Sequence, residues 1–373
     1  MIKIVFFILL SVSSLVHASK ARVLALGNSF HLLDSQTVYK NPIDAIEFDN
    51  FVVFETGVTN ATNATVNAEA MASYVYKEDQ HLVLSFGHQD QSVIDSRNFI
   101  NLLSGTAFEL PQNPLNIFYG INDNITSSAF GFFYSKKDDK ILRSSESSAG
   151  LSLGIEMGKL QISSLYTFIN RADGVSGKKF DGSGYWQTTL SYLLDETLFQ
   201  FQFIKSKAKL STDTGSAVTE NESHVTNTVT LGLVDSNVRD EDNFFWGVQV
   251  ISTQISCNVN LSLGCDKKFT NTVLPVWFGI EAQASEWLIV RATLKQSFLV
   301  NITKDDFGYP LGAASGATGA ISSAAPGAND TVVSTGLGFK FKRLTLDGTL
   351  ATSTTQTLNT SNFLSQVGLT YNF

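Results

Sequence analysis

Charge is scarce in this chain. Asp, Glu, Lys and Arg make up 16% of its 373 residues, against roughly 25% in an ordinary soluble domain. There are 6 prolines and 2 cysteines, which excludes a disulfide-dense scaffold and leaves little to punctuate a string of small domains. Past the N-terminus no apolar run approaches the roughly 18 residues that a membrane helix needs, and mean hydropathy is only +0.06. A polytopic helical membrane protein is therefore excluded. The 5 histidines, His17 among them in a segment expected to be removed, leave few ligands for a metal enzyme. Disorder is excluded too, because aromatic residues are 11% and spread along the whole chain.

The N-terminus reads as an export signal. Met1-Ile2-Lys3 is a short basic start, Ile4 to Val16 is an apolar stretch, and Val16-His17-Ala18 has the small side chains of a signal-peptidase site. Cleavage after Ala18 would make Ser19 the mature start and, by removing Lys3, take the net charge from −8 to −9. The expected organisation is a signal peptide over 1–18, an N-terminal periplasmic or luminal segment over 19–48, and a barrel over 49–373.

Most of the mature chain repeats one pattern, in which apolar residues alternate with small or polar ones over about ten positions, as in a strand with two different faces. In Thr197–Phe203 Phe alternates with Gln; in Ser334–Lys342 Leu337, Phe339 and Phe341 alternate with Gly336, Gly338, Lys340 and Lys342. Strands are expected to begin near Asn50, Glu69, Gln80, Asn113, Thr126, Leu142, Gly158, Gly184, Thr197, Glu222, Asn243, Phe269, Glu286, Thr331, Leu344 and Phe363. Several run to ten residues or more, longer than the usual 5–6 of a soluble sandwich.

The connections alternate in length. Lys77-Glu78-Asp79, Asn122-Asp123-Asn124, Asp195-Glu196, Ala284-Ser285 and Arg343 read as tight turns. Between them lie long loops at 59–66, 89–112, 172–183, 211–221, 256–268, 301–330 and 353–362. Short turns on one side and long loops on the other describe an all-β fold, a transmembrane antiparallel barrel of about sixteen strands with its turns in the periplasm; fourteen is the alternative. The physics is strict, since a backbone in lipid must satisfy every polar group internally, which a closed barrel does without an edge. Aromatic residues near strand ends (Tyr119, Tyr134, Tyr185, Trp186, Tyr192, Trp246, Trp287 and Tyr371) suit interfacial girdles.

Two segments carry resemblances. Gln366–Phe373 alternates to a terminal Phe, and Tyr371 and Phe373 resemble the signal that outer-membrane proteins present to the barrel-assembly machinery. The mature N-terminus has Arg22-Val23-Leu24-Ala25-Leu26-Gly27, then Asp34-Ser35, then Tyr39-Lys40-Asn41-Pro42. It resembles the start of the long-chain fatty-acid transporter superfamily and its porin-like relatives. It is also similar to the porin-like major outer-membrane proteins of predatory deltaproteobacteria. The transporter form usually continues N-P-A-G, whereas Ile43-Asp44 follow Pro42 here. The resemblance implies a plug entering the first strand.

Chemistry-bearing motifs are few. Cys257 and Cys265 flank a short stretch of a long loop, and an oxidising compartment favours a disulfide between them; a redox pair is the alternative. His31, His81, His88 and His224 show no ligand spacing, and the Gly-rich run 312–319 lacks the Lys of a phosphate cradle. No enzyme, metal or other cofactor is expected. N-x-S/T triplets such as Asn60-Ala61-Thr62, Asn63-Ala64-Thr65, Asn221-Glu222-Ser223, Asn301-Ile302-Thr303 and Asn329-Asp330-Thr331 read as marks of polar loops.

Function is expected on the polar strand faces. Parity points Arg291, Lys295, Lys340, Lys342, Glu281, Glu156, Gln200, Gln202 and Gln249 into the lumen, where charged rings set ion selectivity. Glu281 and Arg291 are expected to face each other on adjacent strands. Lys205, Lys207 and Gln296 fit this parity poorly. The loop over 89–112 contains an amphipathic stretch able to fold inward as a constriction. The expectation is an outer-membrane channel for passive diffusion of small polar solutes and ions. A transporter of hydrophobic compounds with an N-terminal plug, and a non-conducting structural or adhesion barrel, are the alternatives. Expected partners are outer-membrane lipid and lipopolysaccharide, the barrel-assembly machinery and small solutes, with a homo-oligomer possible and no nucleic acid.

Overall fold

The computed structural model describes residues 19–57, 67–90, 93–94, 96–97, 100, 108–111, 113–123, 125–139, 144–174, 177–215, 217–239, 242–260, 268–304, 331–353 and 366–373. The alternating segments form β1 (Phe51–Gly57), β2 (Asn67–Lys77), β3 (Gln80–Phe86), β4 (Leu115–Asp123), β5 (Thr126–Asp139) and β6 (Ser144–Met157). Next come β7 (Leu160–Asp173), β8 (Lys178–Asp181), β9 (Tyr185–Leu194), β10 (Thr197–Asp213), β11 (Val218–Arg239) and β12 (Asp242–Asn260). The last are β13 (Lys268–Ser285), β14 (Leu288–Lys304), β15 (Thr331–Phe341), β16 (Leu344–Ser353) and β17 (Gln366–Asn372).

Each strand pairs antiparallel with its neighbours, and β1 pairs with both β2 and β17, which closes the sheet into a ring. β8 and β9 both lie between β7 and β10, as two pieces of one strand interrupted at Gly182-Ser183-Gly184. The ring therefore has sixteen strand positions. The short turns at Glu78-Asp79, Gly158-Lys159, Asp195-Glu196, Glu286-Trp287 and Lys342-Arg343 gather at one end, together with the C-terminal Phe373.

Adjacent residues have opposite fates. On β13 Phe278 is 59% exposed while Trp277 is 3% exposed. The outward set includes Phe54, Phe130, Leu153, Ile155, Leu190, Leu231, Val250, Leu294, Leu337 and Leu369. In water each such side chain would forgo roughly 1.5–3 kcal/mol of burial, which a bilayer restores. No described helix is long and apolar enough to cross a membrane; the chain crosses with strands.

Four expectations are corrected. Tyr185 is buried on the lumen face, its hydroxyl donating to Gln187 Oε1 at 2.8 Å, because it has the opposite parity to outward Trp186, Leu190 and Tyr192. Lys342 is no strand residue: it takes φ 55° in the turn between β15 and β16. Of the two loops expected at 172–183 and 211–221, residues 172–173, 178–181, 211–213 and 218–221 are strand, because β8 pairs with β7 and β10, and β10 with β11, nearly to their ends. The disulfide expected for Cys257 and Cys265 lies outside the described residues at Cys265, as does the signal peptide.

Candidate functional site: a filled lumen

Residues Ser19 to Asp49 precede the first strand and lie inside the ring. They comprise a short helix α1 (Lys20–Ala25) and 3-10 turns at Thr37–Tyr39 and Pro42–Glu47. Apolar side chains seat this segment on the wall at three places. Leu26, Leu32 and Phe30 pack on Val234, Phe245 and Trp277. Val38, Tyr39, Ala45 and Phe48 pack on Phe51, Val53, Met71, Val83 and Phe118, while Ile43 and Ile46 meet Ala129. On the side of α1 the wall must be bare. A Cβ at Gly368 would lie 2.0 Å from that of Ser19, and one at Gly336 2.5 Å from that of Ala25.

Charge fixes the pose. Arg22 Nε and Nη2 donate to the two oxygens of Glu281 on β13, at 2.8 and 2.7 Å. Arg22 Nη1 donates to Leu33 O at 3.0 Å and lies 3.5 Å from Asp34. Arg291 on β14, in register with Glu281, donates to Glu281 at 2.7 Å and to Asp347 on β16 at 2.6 Å. Asp347 also accepts from Ser19 Oγ at 3.1 Å. Beside this chain, the Lys20 amide donates to Glu55 on β1 and Lys20 Nζ to Glu69 on β2, both at 2.9 Å. Glu69 is also paired with His88 at 3.1 Å, and Tyr39 stacks on the His88 ring with centroids 3.4 Å apart.

Burial works against the charge of Arg22, but the bidentate Glu281 more than offsets it and leaves the guanidinium above its ordinary value. Burial lowers His31 to about 3, helped by Arg22, so its ring is neutral. Burial, opposed by Arg22, raises Asp34. Burial pushes Asp44 up to about 7; hydrogen bonds from Thr37 and Asn41 oppose it, and the charges of Glu47 and Glu156 add to it.

The connection between β3 and β4 enters the lumen elsewhere. Val93 packs on Phe133, Leu165, Tyr185 and Ile204, and Ile100 and Phe108 pack on Ala172, Phe180, Ala208, Leu210 and Ile255. Arg97, fully buried, donates to Asn170 Oδ1 at 2.9 Å, to Glu146 at 3.2 Å and to Glu109 O at 2.6 Å. It also donates to the carbonyls of Ser147 and Arg171 and lies 5.9 Å over the Phe180 ring.

Of the residues expected to face the lumen, Glu281 and Arg291 meet at the plug, and Lys295 lies 5.9 Å over the inward Trp277 ring. Gln202 donates to the inward Thr189 at 3.2 Å, and Gln200 shares its parity. Gln249 lies against Gly232 near Phe30. Glu156 accepts from Gln161 at 2.8 Å, and Lys340 has inward parity beside its turn. Tyr371 is outward at the turn end, 43% exposed, and Phe373 follows it, its amide donating to Asn50 O at 3.2 Å.

Sequence reasoning missed Glu55, Glu69, Asp347, Glu146, Arg22 and Arg97. The first four carried a signal, being carboxylates on the inward parity of otherwise weakly charged strands. Among the described residues no group of His, Cys, Asp and Glu could hold a metal ion.

No protein-family model matches the chain, and no curated protein matches it. Among solved structures it is similar to OmpT, an outer membrane protein of Vibrio cholerae, at 11% identity over 87% of this chain and 97% of that one, with a TM-score of 0.37. It is also similar to a Pseudomonas aeruginosa FadL homologue, at 10% identity over 95% and 98%, TM-score 0.44. A third is a porin, at 8% identity over 87% and 99%, TM-score 0.38. At these values the assignment of a transmembrane barrel rests on the chain's own sixteen-strand register and apolar outer face.

Proposed function

We propose that this chain is an outer-membrane channel for small polar solutes and ions whose lumen is closed by its own N-terminal segment. One observation carries the reading: beside its apolar seats, the plug is held in its pose by carboxylates and a guanidinium group of the inner wall. Glu281, Arg291, Asp347, Glu55 and Glu69 all turn inward from strands whose other face is apolar. A charged wall suits water and polar solutes, which can replace the plug's hydrogen bonds; an apolar cargo would leave those groups unpaired at a cost of several kcal/mol each. Permeation then requires the plug to shift. No reaction is assigned. On this reading the chain is exported, cleaved after Ala18, and inserted through the barrel-assembly machinery, which its Tyr371 and Phe373 address.

A second reading, transport of hydrophobic compounds, is favoured by the inward patch of Phe133, Leu165, Tyr185 and Ile204 under Val93, which an apolar ligand could occupy in place of that side chain.

Single-channel recording on the refolded mature chain and on Arg22→Met tests the two. Removing one partner of a buried pair costs about 3–5 kcal/mol. The wild type should therefore open briefly and rarely, and Arg22→Met should show large, steady ohmic steps. The reversal potential in a salt gradient gives the ion selectivity. Silence from both, in a verified heat-modifiable barrel, would overturn the channel reading and turn attention to hydrophobic ligands and the loops.

A further inference from the structure

The two lysines that fit the strand parity poorly point to a second site, on the outside of the barrel. Ile204, Ala208 and Leu210 of β10 face the lumen, so its odd positions face outward: Phe199, Phe201, Phe203, then Lys205, Lys207 and Lys209. Lys205 and Lys207 are the ninth and eleventh residues of β10, and a spanning strand needs about 9–11. They therefore stand where the apolar belt ends, on the long-loop side. Lys205 is in register with the outward Trp186 of β9, whose ring meets Phe203 at 5.8 Å.

The charges around them are already matched. Arg171 lies 3.6 Å from Asp181, Lys179 2.7 Å from Asp213, and Lys209 3.7 Å from Glu220. Among the described residues Lys205 and Lys207 have no carboxylate partner; the residue in register with Lys205 on β11 is Asn227, and with Lys207, Val225. Lysine stems can lie along apolar surface with their heads at the interface, which costs little at this depth, yet it leaves two ammonium groups without a counter-charge. Residues two apart on one strand face are about 6.5–7 Å apart, close enough for both ammonium groups to converge on one anion. We propose that Lys205 and Lys207, above Trp186 and Phe203, bind the phosphate of an anionic lipid headgroup in the leaflet facing the long loops, its acyl chains lying on Phe199, Phe201 and Leu190. The site rests on the barrel spanning a membrane and is independent of whether the lumen conducts.

The mature chain is refolded into phosphatidylcholine vesicles containing diphosphoryl lipid A, and bound lipid A is titrated for wild type, K205Q/K207Q, and K77Q/K159Q at the turn end. At about a fivefold effect per lysine, K205Q/K207Q should bind about twenty-fivefold more weakly, with K77Q/K159Q unchanged. Each single variant should lose about fivefold, which keeps the test valid if the double variant fails to fold. Phosphate-free lipid A should bind wild type and double variant alike, and millimolar inorganic phosphate should not displace the lipid. Equal binding of diphosphoryl lipid A by wild type and double variant would overturn the proposal. So would equally tight binding of the phosphate-free form, or displacement by inorganic phosphate, which would make the site one for free anion. A chain that does not insert into vesicles would instead overturn the transmembrane reading, a different failure from a folded barrel that ignores the phosphate.

Discussion

Glu281 shows how one side chain can serve both wall and plug. Its two oxygens receive Arg22 in a fork, and one of them also receives Arg291, so plug and wall are registered through a single carboxylate. Such buried networks add little net stability but penalise any pose that leaves a member unpaired. Asp44 supplies a test at this scale. Its carboxyl is held near 7 by burial first, so the docked plug retains a proton that the free segment loses near 3.8. The docked state binds more protons between those values, so docking is tightest at the acid end, weakens as pH rises from about 4 to about 7, and is level above that. Open probability should rise over that window in the wild type, and Asp44→Asn should flatten the component. The parity of a two-faced strand made Glu281 and Arg291 legible, since each sits among apolar alternates. Arg22 was not legible, because a pairing across 259 residues leaves no periodic trace in a short helix.

At the scale of elements, the barrel strands could be read because each must meet the same demand, lipid on one side and lumen on the other. The inserted connection between β3 and β4 has no such rule. Its amphipathic stretch was visible, but the partners of Arg97 come from β6, β7 and the same connection, and only packing brings them together. Arg97→Met should leave Glu146 buried without its cation and detach the connection. Limited proteolysis is expected to cut within 89–111 at least tenfold faster in the variant, while the barrel stays heat-modifiable. An unchanged cutting rate would mean that Val93, Ile100 and Phe108 hold the connection by themselves. The interruption at Gly182-Ser183-Gly184 escaped sequence reading for a related reason, since a broken strand looks like a loop until both of its neighbours are seen to pair across the break.

For the whole molecule, the strands are of uneven length among the described residues. β10 to β14 run to 17–22 residues, beyond the 9–11 needed to span, whereas β1, β3 and β17 have 7. The β3–β4 connection packs on β5 to β10 and on Ile255 of β12, and the plug lies against short and long strands alike. Deleting residues 19–49 should therefore leave a heat-modifiable barrel, because every strand-to-strand hydrogen bond survives. Its conductance should exceed the wild-type level and lose the pH dependence assigned to Asp44. Loss of the barrel itself would show instead that the ring needs its filling to close.

The position of the plug in the chain has a bearing on biogenesis. The segment comes immediately before β1, and β1 joins β17 to complete the circle; Glu55 and Glu69 grip it from the first two strands, yet Glu281, Arg291 and Asp347 belong to strands made late. Nothing can be threaded into a sealed cylinder from the side. The seam must shut around a terminus already lying within, or the terminus must enter through an open end after sealing. The first route makes insertion and occlusion a single event, so the membrane never meets an unstoppered hole.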